Sequence, residues 1–315
     1  MKKQFKNPHQ KDVKRNFWHF LLWRIGFYDE KHSKKAQKTF VFPKSTAEFD
    51  PQKPWVTWIN HSSFLISLNG QHFLTDPIWN HRPSPVSFCG PKRKHPPGVE
   101  FEDLPEIDFV LISHNHYDHL DKNSVKRLVR RYPHIHWIVP TGVKKWFLKQ
   151  KIFKVVELGW WEEKMLSPTL KVTAVPTQHF SGRRGYDLNQ TLWAGYVIED
   201  MQADKRFYFV GDTGYNPVDF KRIGEKWGSF DLSLIPIGSY LPRQFMAPVH
   251  VEPKDAVQIH QDVGSKFSIG MHWKTFRLSD ELMHQPPYDL FLALQQKQID
   301  CSKFLVTEPG VRLNW

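Results

Sequence analysis

Apolar runs of strand length alternate with helix-length amphipathic segments through most of the chain. Two early runs within 64–75 are joined by Asn69-Gly70, the dipeptide that a type I′ hairpin turn prefers. Further strands are predicted at 107–113, 135–140, 171–176, 193–199, 206–211, 231–238, 266–271 and near 303–307. Helices are predicted at 124–132, 143–150, 253–263 and near 288–298, the first of them capped by Asp121 or Asn123. This alternation indicates an α/β fold in which helices cover β-sheets. The spacing alone does not show how the sheets are arranged.

Charge is concentrated at the N-terminus. The chain of 315 residues carries a net charge of +12, and residues 1–40 contain 11 basic against 3 acidic side chains. Residues 40–54 contain three prolines and resemble a linker. We therefore predict an N-terminal arm and linker over 1–54 and one folded domain over 55–315.

The arm contains an apolar, aromatic segment at 16–27, "NFWHFLLWRIGF". A spanning helix needs about 20 apolar residues, so this segment is too short to cross a bilayer. No small-residue cleavage site follows it, which argues against a signal peptide. Two alternatives remain: a helix at an anionic lipid surface, or a helix packed on the domain. If the helix lies at a lipid surface, deleting residues 1–27 is expected to weaken vesicle binding and to leave the functional site described below intact.

The two cysteines, Cys89 and Cys301, are too few for a disulfide scaffold and fit a reducing compartment. We therefore expect a cytoplasmic protein, and the basic arm is compatible with a peripheral position on the inner membrane face. The oligomeric state is not fixed by the sequence.

Polar residues with metal-binding side chains follow four of the predicted strands. They are His114, His179, Asp212 and His272. A single histidine after a strand is usually structural, but strand ends at one edge of a sheet converge in space. The four residues together therefore favour a functional site at that edge.

The first of these strand ends is unusually rich in titratable groups, since residues 111–121 read "LISHNHYDHLD". His114 and His116 share one face of an extended segment, so both imidazoles can reach one ion. Asp118 and His119 fall where the chain turns and can point to a second position. Imidazole and carboxylate ligands suit zinc, iron or manganese, which predicts a metal site here.

The stretch 114–119 resembles the HxHxDH signature of the metallo-β-lactamase superfamily, and His179, Asp212 and His272 match that superfamily's later ligands in order. Longer stretches, among them "LTDPIW", "GDTGYNP", "HVEPKDAVQIH" and "HWKTF", are similar to the branch containing the N-acylphosphatidylethanolamine-hydrolysing phospholipases D. "FKNP" at 5–8 extends the likeness to the arm. The resemblance implies a four-layered αβ/βα metallo-β-lactamase sandwich with its site between two sheets. "DHLD" differs from the "DHxGG" of β-lactamases and thiolesterases, which argues against those activities.

The resemblance also implies a ligand set. His114, His116 and His179 would hold one metal, Asp118, His119 and His272 a second, and Asp212 would bridge the two. The cofactors expected are two Zn²⁺, with Mn²⁺ or Fe²⁺ as alternatives. His250 matches a histidine near the family's active site and is a candidate general acid, with a turn residue as the alternative. Asn60 stands where the family has glycine, and we expect it to take the positive φ of that turn.

The expected reaction is phospholipase D-type hydrolysis of a phosphodiester in N-acylphosphatidylethanolamine, with Asp118, Asp212 and His250 in catalytic positions. Tyr117 and the basic pair Lys92 and Arg93 are candidate substrate contacts, or a packing residue and a solvated loop. The expected partners are the phospholipid substrate and a peripheral membrane surface. Alternatives are a sugar-phosphate lactonase or nuclease on the same fold, or a metal-binding scaffold without catalysis. No nucleic acid is expected, because the basic charge lies in the arm.

Overall fold

The computed structural model describes residues 4–9, 40–44 and 48–315. The apolar segment 16–27 lies outside these residues. Within the part of the chain that is described, no helix combines the length and apolar character needed to cross a membrane.

Two mixed β-sheets of seven strands each form the centre of the structure. The first has the order β14-β1-β2-β3-β4-β5-β6 and contains β1 (Trp55–Asn60), β2 (Ser63–Leu68), β3 (Gln71–Thr75), β4 (Phe109–Leu111), β5 (His136–Pro140), β6 (Val155–Leu158) and β14 (Arg312–Asn314). The second has the order β13-β12-β11-β10-β9-β8-β7 and contains β7 (Glu163–Met165), β8 (Leu170–Val175), β9 (Gly195–Asp200), β10 (Lys205–Phe209), β11 (Leu232–Pro236), β12 (Ser268–Met271) and β13 (Phe304–Leu305).

Helices cover the outer face of each sheet. They are α1 (Lys122–Arg131), α2 (Lys144–Lys149), α3 (Pro217–Trp227), the short α4 (Arg243–Met246), α5 (Pro253–Asp262) and α6 (Gln285–Gln296). Leu65 of β2 packs with α1 and α2, whereas its neighbours Phe64 and Ile66 face the second sheet. Residues of α3, α5 and α6 join the larger core cluster with the second sheet. The four layers confirm the predicted αβ/βα sandwich.

Local sequence signals account for several elements. The predicted hairpin forms between β2 and β3, and both Asn69 (φ 51°) and Gly70 (φ 71°) take positive φ. Asp121 caps α1 by accepting a hydrogen bond from the Ser124 amide. Helix α3 was not predicted, although its start shows an Asn216 cap followed by proline.

The described part of the predicted linker packs against the domain. Phe42 is buried in the larger core cluster, and Phe40 lies against Tyr288 and Phe291 with ring centroids 5.3 and 5.1 Å away. Asp50 and Asn314 exchange hydrogen bonds. The domain boundary at residue 54 stays a prediction, but these contacts make Phe40, Phe42 and Asp50 part of the packed body.

Strand direction places the site. Strands β10, β11 and β12 are parallel, and β8 runs the same way because β9 is antiparallel to both β8 and β10. The carboxyl ends of these strands face the end of β4, where the Ala194 amide donates to the Ser113 carbonyl across the two sheets. At Gly211 (φ 70°) a Cβ would lie 2.9 Å from that of Ser113, so the sheets meet here with no room for a side chain.

A glycine also sets the contact between α3 and α5. A Cβ on Gly224 would lie 2.0 Å from the carbonyl oxygen of Asp262. An exposed Gly→Ala change in a helix stabilises by roughly 0.5–1 kcal/mol, but here Gly224→Ala should lower the free energy of unfolding by about 1–3 kcal/mol through overpacking. Denaturant unfolding measures this, with Lys221→Ala on the exposed side of α3 as the control. A stabilised Gly224→Ala protein would contradict the close approach.

Candidate metal centre

The loop after β4 is held in shape by Asp76, which follows β3. One carboxylate oxygen of Asp76 accepts from the Ser113 amide (2.7 Å), and the other accepts from the Ser113 hydroxyl (2.5 Å) and from His119 Nδ1 (2.6 Å). His119 thereby presents Nε2 to the site. Such an outer carboxylate commonly fixes the tautomer and ring orientation of a ligating histidine. Sequence reasoning missed this role, although Asp76 lies within the "LTDPIW" stretch.

A first cluster consists of His114, His116 and His179, whose ring nitrogens lie within 4.8 Å of one another. His116 Nδ1 is 2.8 Å from His114 Nε2 and 3.3 Å from His179 Nε2. On the far side of the rings, His114 Nδ1 contacts the Ser113 hydroxyl, and His179 Nδ1 donates to the carbonyl of Val249 (2.9 Å). Burial lowers the pKa of all three, to about 4 for His116, so the rings are neutral and suited to ligate a metal.

A second cluster consists of His61, Asp118, His119 and His272. Asp118 Oδ2 lies 3.1 Å from His61 Nε2, 3.4 Å from His119 Nε2 and 3.7 Å from His272 Nε2. Burial disfavours charge on His272, but the Asp212 and Asp118 carboxylates outweigh it and raise the pKa of His272 to about 9. The same carboxylates, with Asp76, raise the pKa of His119 against its burial. This pocket therefore favours positive charge.

Asp212 connects the two clusters. Its Oδ2 lies 3.1 Å from His272 Nε2 and 3.2 Å from His119 Nε2, and 3.7 Å from His179 Nε2 in the first cluster. Burial would raise the pKa of Asp212, but His119 and His272 hold it well below its usual value. The structure thus brings together all seven residues proposed as ligands, with Asp212 in the shared position.

Three buried atoms of this centre make no well-aligned hydrogen bond to a described residue, although the two nitrogens lie close to Asp212 Oδ2: His119 Nε2, His272 Nε2 and Asp212 Oδ1. A buried polar atom without a partner is costly, and these three belong to one pocket of nitrogen and oxygen donors. The donor set of imidazoles and carboxylates fits a divalent transition metal. The residues present therefore fit a divalent metal; the number of ions and their identity as zinc stay predictions.

His61 is a member of the second cluster that sequence reasoning did not identify. It follows β1, takes φ 45° and is fully buried, with its ring centroid 4.1 Å from that of His272. The positive φ expected at Asn60 falls on His61 instead, and Asn60 remains in the strand with its amide donating to the Ile78 carbonyl. The signal that could have identified His61 was a histidine at the end of a strand, but the sequence analysis did not predict β1.

The open side of the centre is formed by Asp118 and His250, whose side chains are 16% and 13% exposed. His250 Nδ1 lies 4.0 Å from Asp212 Oδ2, and its ring stands 5.1 Å from His179 and 5.4 Å from His272. His250 therefore faces both clusters at the point where a substrate can enter.

The three candidate substrate contacts belong to neither cluster. Tyr117 points away from the clusters, with its hydroxyl donating to the Arg183 carbonyl and the Arg183 guanidinium stacked 3.9 Å above its ring. Arg93 donates to the carbonyls of Ile78 and Asn80 and packs on Phe276, so its guanidinium holds a loop together. These contacts do not support the predicted phosphate contact for Arg93. Lys92 is exposed on the same loop.

The N-terminal segment reaches the first cluster. Asn7 Nδ2 donates to the His179 carbonyl (2.8 Å), while Asn7 Oδ1 accepts from the His179 amide (3.2 Å) and from Trp193 Nε1 (3.0 Å). The Phe5 amide donates to the Asn189 carbonyl beside it. Asn7 therefore clamps the main chain of a candidate ligand 172 residues away. Removing residues 1–27 would remove this clamp, which argues against the expectation that the deletion leaves the site intact.

Comparison with known proteins places this geometry in a family. A family model described as the β-lactamase superfamily domain matches residues 71–273. The chain is 44% identical over 267 residues to N-acyl-phosphatidylethanolamine-hydrolyzing phospholipase D 1 of Caenorhabditis elegans, covering 81% of this chain and 74% of that protein. It is 33% identical over 238 residues to the mitochondrial N-acyl-phosphatidylethanolamine-hydrolyzing phospholipase D of Saccharomyces cerevisiae, covering 73% of this chain and 49% of that protein.

Solved structures share the fold at low identity. Igni18, a metallo hydrolase of Ignicoccus hospitalis, matches with a TM-score of 0.61 at 21% identity, covering 84% of this chain and 99% of that one. CmlA, a diiron β-hydroxylase of Streptomyces venezuelae, matches with a TM-score of 0.64 at 19% identity, covering 85% of this chain and 55% of that one. The chain belongs to the β-lactamase superfamily, in the group that includes the N-acylphosphatidylethanolamine-hydrolysing phospholipases D. That family and the two clusters together indicate a metal-dependent hydrolase with a divalent-metal centre.

The Asn7 contact generates a prediction. Asn7→Ala removes the hydrogen bonds to both main-chain groups of His179, so the first cluster should hold its metal about 10–100-fold more weakly, as is usual when an outer-sphere partner is lost. Competition with a chromogenic chelator measures the affinity. Gln4→Ala is the matched control, because Gln4 belongs to the same segment but donates to the exposed Leu188 carbonyl and not to His179. Equal metal affinity in both variants would show that Asn7 does not position the ligand.

Proposed function

We propose that the protein is a dinuclear metal-dependent phosphodiester hydrolase. One site would be formed by His114, His116 and His179, the other by Asp118, His119 and His272, with Asp212 shared. The observation that carries this proposal is the position of Asp212 Oδ2, within 3.7 Å of histidine nitrogens from both clusters. Zn²⁺ suits this donor set, with Mn²⁺ or Fe²⁺ as alternatives.

Bound divalent cations would lower the pKa of a water and neutralise charge on a phosphoryl group. The residues of the chain supply the rest. Asp212 and Asp118 hold their carboxylate charges in fixed positions inside a buried pocket, where such charges act more strongly than in water. His250 faces the same pocket from its open side and can deliver a proton to a departing oxygen. Such positioning and charge stabilisation are the main requirements of phosphoryl transfer.

The proposed substrate is N-acylphosphatidylethanolamine, cleaved in the manner of a phospholipase D. Water adds to phosphorus, the bond from phosphorus to the N-acylethanolamine oxygen breaks, and that oxygen takes a proton. The products are N-acylethanolamine and phosphatidic acid. The support for this substrate is the 44% identity to a relative that carries the activity in its name. A peripheral membrane surface is the proposed partner. The positive charge of residues 10–39 in the basic arm would add to the attraction toward that surface.

The proposal predicts both products and metals. The protein should convert N-acylphosphatidylethanolamine in micelles to the two products above, detected by mass spectrometry, and elemental analysis should find two metal equivalents per chain.

Asp212→Asn should lose metal from both sites, because one ligand serves both, and its activity should fall by at least about 100-fold. Asp231→Asn makes the same chemical change at a carboxylate paired with Lys205 and Lys266, so metals and activity should stay.

Two outcomes would overturn these claims separately. Release of diacylglycerol, or turnover of sugar lactones or oligonucleotides with no action on the lipid, would refute the proposed substrate. A single metal equivalent in folded, active protein would refute the dinuclear centre.

The position of His250 predicts a dependence on the leaving group. His250→Ala should retain both metals and lower turnover of the lipid by about 10²–10⁴-fold. An aryl phosphodiester, whose leaving group needs no proton, should lose less than about tenfold. His134→Ala, at a partly exposed histidine remote from the clusters, is the control. Equal losses on both substrates would assign His250 a binding or structural role instead.

A further inference from the structure

A large cleft lies beside the loop that carries the candidate ligands. Its volume is about 960 Å³, and Asn115 and Tyr117 from the metal-binding loop form part of its wall. Helix α2, the start of α1 and the loop 183–191 form the other sides, and Ser84 and Pro85 contribute from the loop after β3. The cleft and the metal centre therefore share one loop but are separate features, since none of the seven candidate ligands lines the cleft.

Positive charge dominates this cleft, with six basic and three acidic side chains in its wall. Five of the six basic side chains make no ion pair with any residue that the structure describes. They are Lys122, Lys144, Lys145, Lys149 and Arg184. Their charge is available to a ligand.

The three acidic side chains are already engaged by main-chain groups. Asp121 caps α1. Glu157 accepts from the amides of Gly142 and Lys144 at the start of α2, and Asp187 accepts from the amides of Arg183 and Arg184. Their carboxylates therefore do not neutralise the lysines through direct pairs, and the rim keeps a positive surplus.

Large apolar side chains are exposed on the same elements. Leu148 (43% exposed) and Tyr186 (70%) line the rim, and Phe88 (82%) lies in the loop that contributes Ser84 and Pro85. Aromatic and aliphatic tips between lysines are the pattern of a surface that inserts shallowly among lipid headgroups. Single exposed apolar residues are common, but here they coincide with unpaired positive charge around one cleft.

We propose that this face of the domain docks on an anionic phospholipid bilayer. We call it the basic cleft face and define it by Phe88, Lys122, Lys144, Lys145, Leu148, Lys149, Arg184 and Tyr186. The inference rests on the proposed function in one respect: the substrate is a membrane lipid. Docking here sets the metal-binding loop against the bilayer, and it assigns membrane contact to the folded domain as well as to the arm.

The test compares full-length variants in vesicle sedimentation, with phosphatidylcholine vesicles prepared with and without phosphatidylglycerol. One variant combines Lys144→Ala, Lys145→Ala and Lys149→Ala. Each lysine near an anionic surface contributes about fivefold, so partition onto the anionic vesicles should fall on the order of 100-fold. The matched control removes three exposed lysines outside the cleft, Lys164, Lys221 and Lys303, and should bind nearly as tightly as the wild-type protein.

A second variant, Phe88→Ser with Tyr186→Ser, should weaken vesicle binding by more than about tenfold without changing the charge.

Two further measurements separate the possible failures. Hydrolysis of a soluble aryl phosphodiester should be unchanged in all variants, which shows that each is folded with its centre intact. Activity on that substrate without any activity on the lipid would refute the proposed function, whatever the vesicles show. Equal binding by the cleft variant and the control would overturn the docking face and assign vesicle binding to the arm. Loss of single-stranded oligonucleotide binding in the cleft variant, with vesicle binding unchanged, would also overturn it in favour of a nucleic-acid surface.

Discussion

The rest of the site depends on the contact between the buried carboxylate of Asp212 and the histidines around it. Asp212 is 3% exposed and stands between two groups of histidines that come from both sheets. Burial of an ionised carboxylate is costly unless positive charge surrounds it. His119 and His272 supply that charge here, and metals would supply it more fully. The fold is therefore built around a place where a divalent cation is favoured.

A second layer of contacts holds the candidate ligands in place. Asp76 fixes His119 and Ser113, and Asn7 fixes the main chain of His179. Arg183 donates to the carbonyls of Asn115 and Leu120, within and just after the stretch 114–119 that carries four of the candidate ligands. Each contact joins a segment distant in sequence to a candidate ligand or to the loop that carries several of them, so ligand geometry depends on the whole sandwich and on the N-terminal segment. Ligands that are held in advance lose less entropy when a metal binds.

Arg183 also links the centre to the basic cleft face. Its guanidinium stacks on Tyr117, which lines the cleft, while its donors hold the loop that carries His116 and Asp118. The surface proposed to contact lipid and the centre proposed to act on a phosphodiester thus share one structural element. With the proposed lipid substrate, this arrangement would keep the phosphodiester close to the bilayer.

The sequence by itself determined the class of fold and the chemistry of the centre. Hydrophobic periodicity indicated sheets covered by helices, Asn69-Gly70 placed a hairpin, and four strands ended in His or Asp. These signals are local, because period, turn conformation and ligand type are properties of short segments. The resemblance carried in "HNHYDH" added the ligand set, and the structure brings all seven residues together.

Only the tertiary structure decided which residues beyond that motif belong to the site. His61, Asp76 and Asn7 are ordinary residues in their own segments and become part of the centre because two sheets and the N-terminus meet there. The same holds for Arg93, whose charge suggested phosphate but whose partners are the carbonyls of Ile78 and Asn80. The basic cleft face also joins lysines from α1 and α2 that local pattern treats as solvated surface. Contacts between distant segments depend on how the layers pack, and periodicity within a segment carries no information about them.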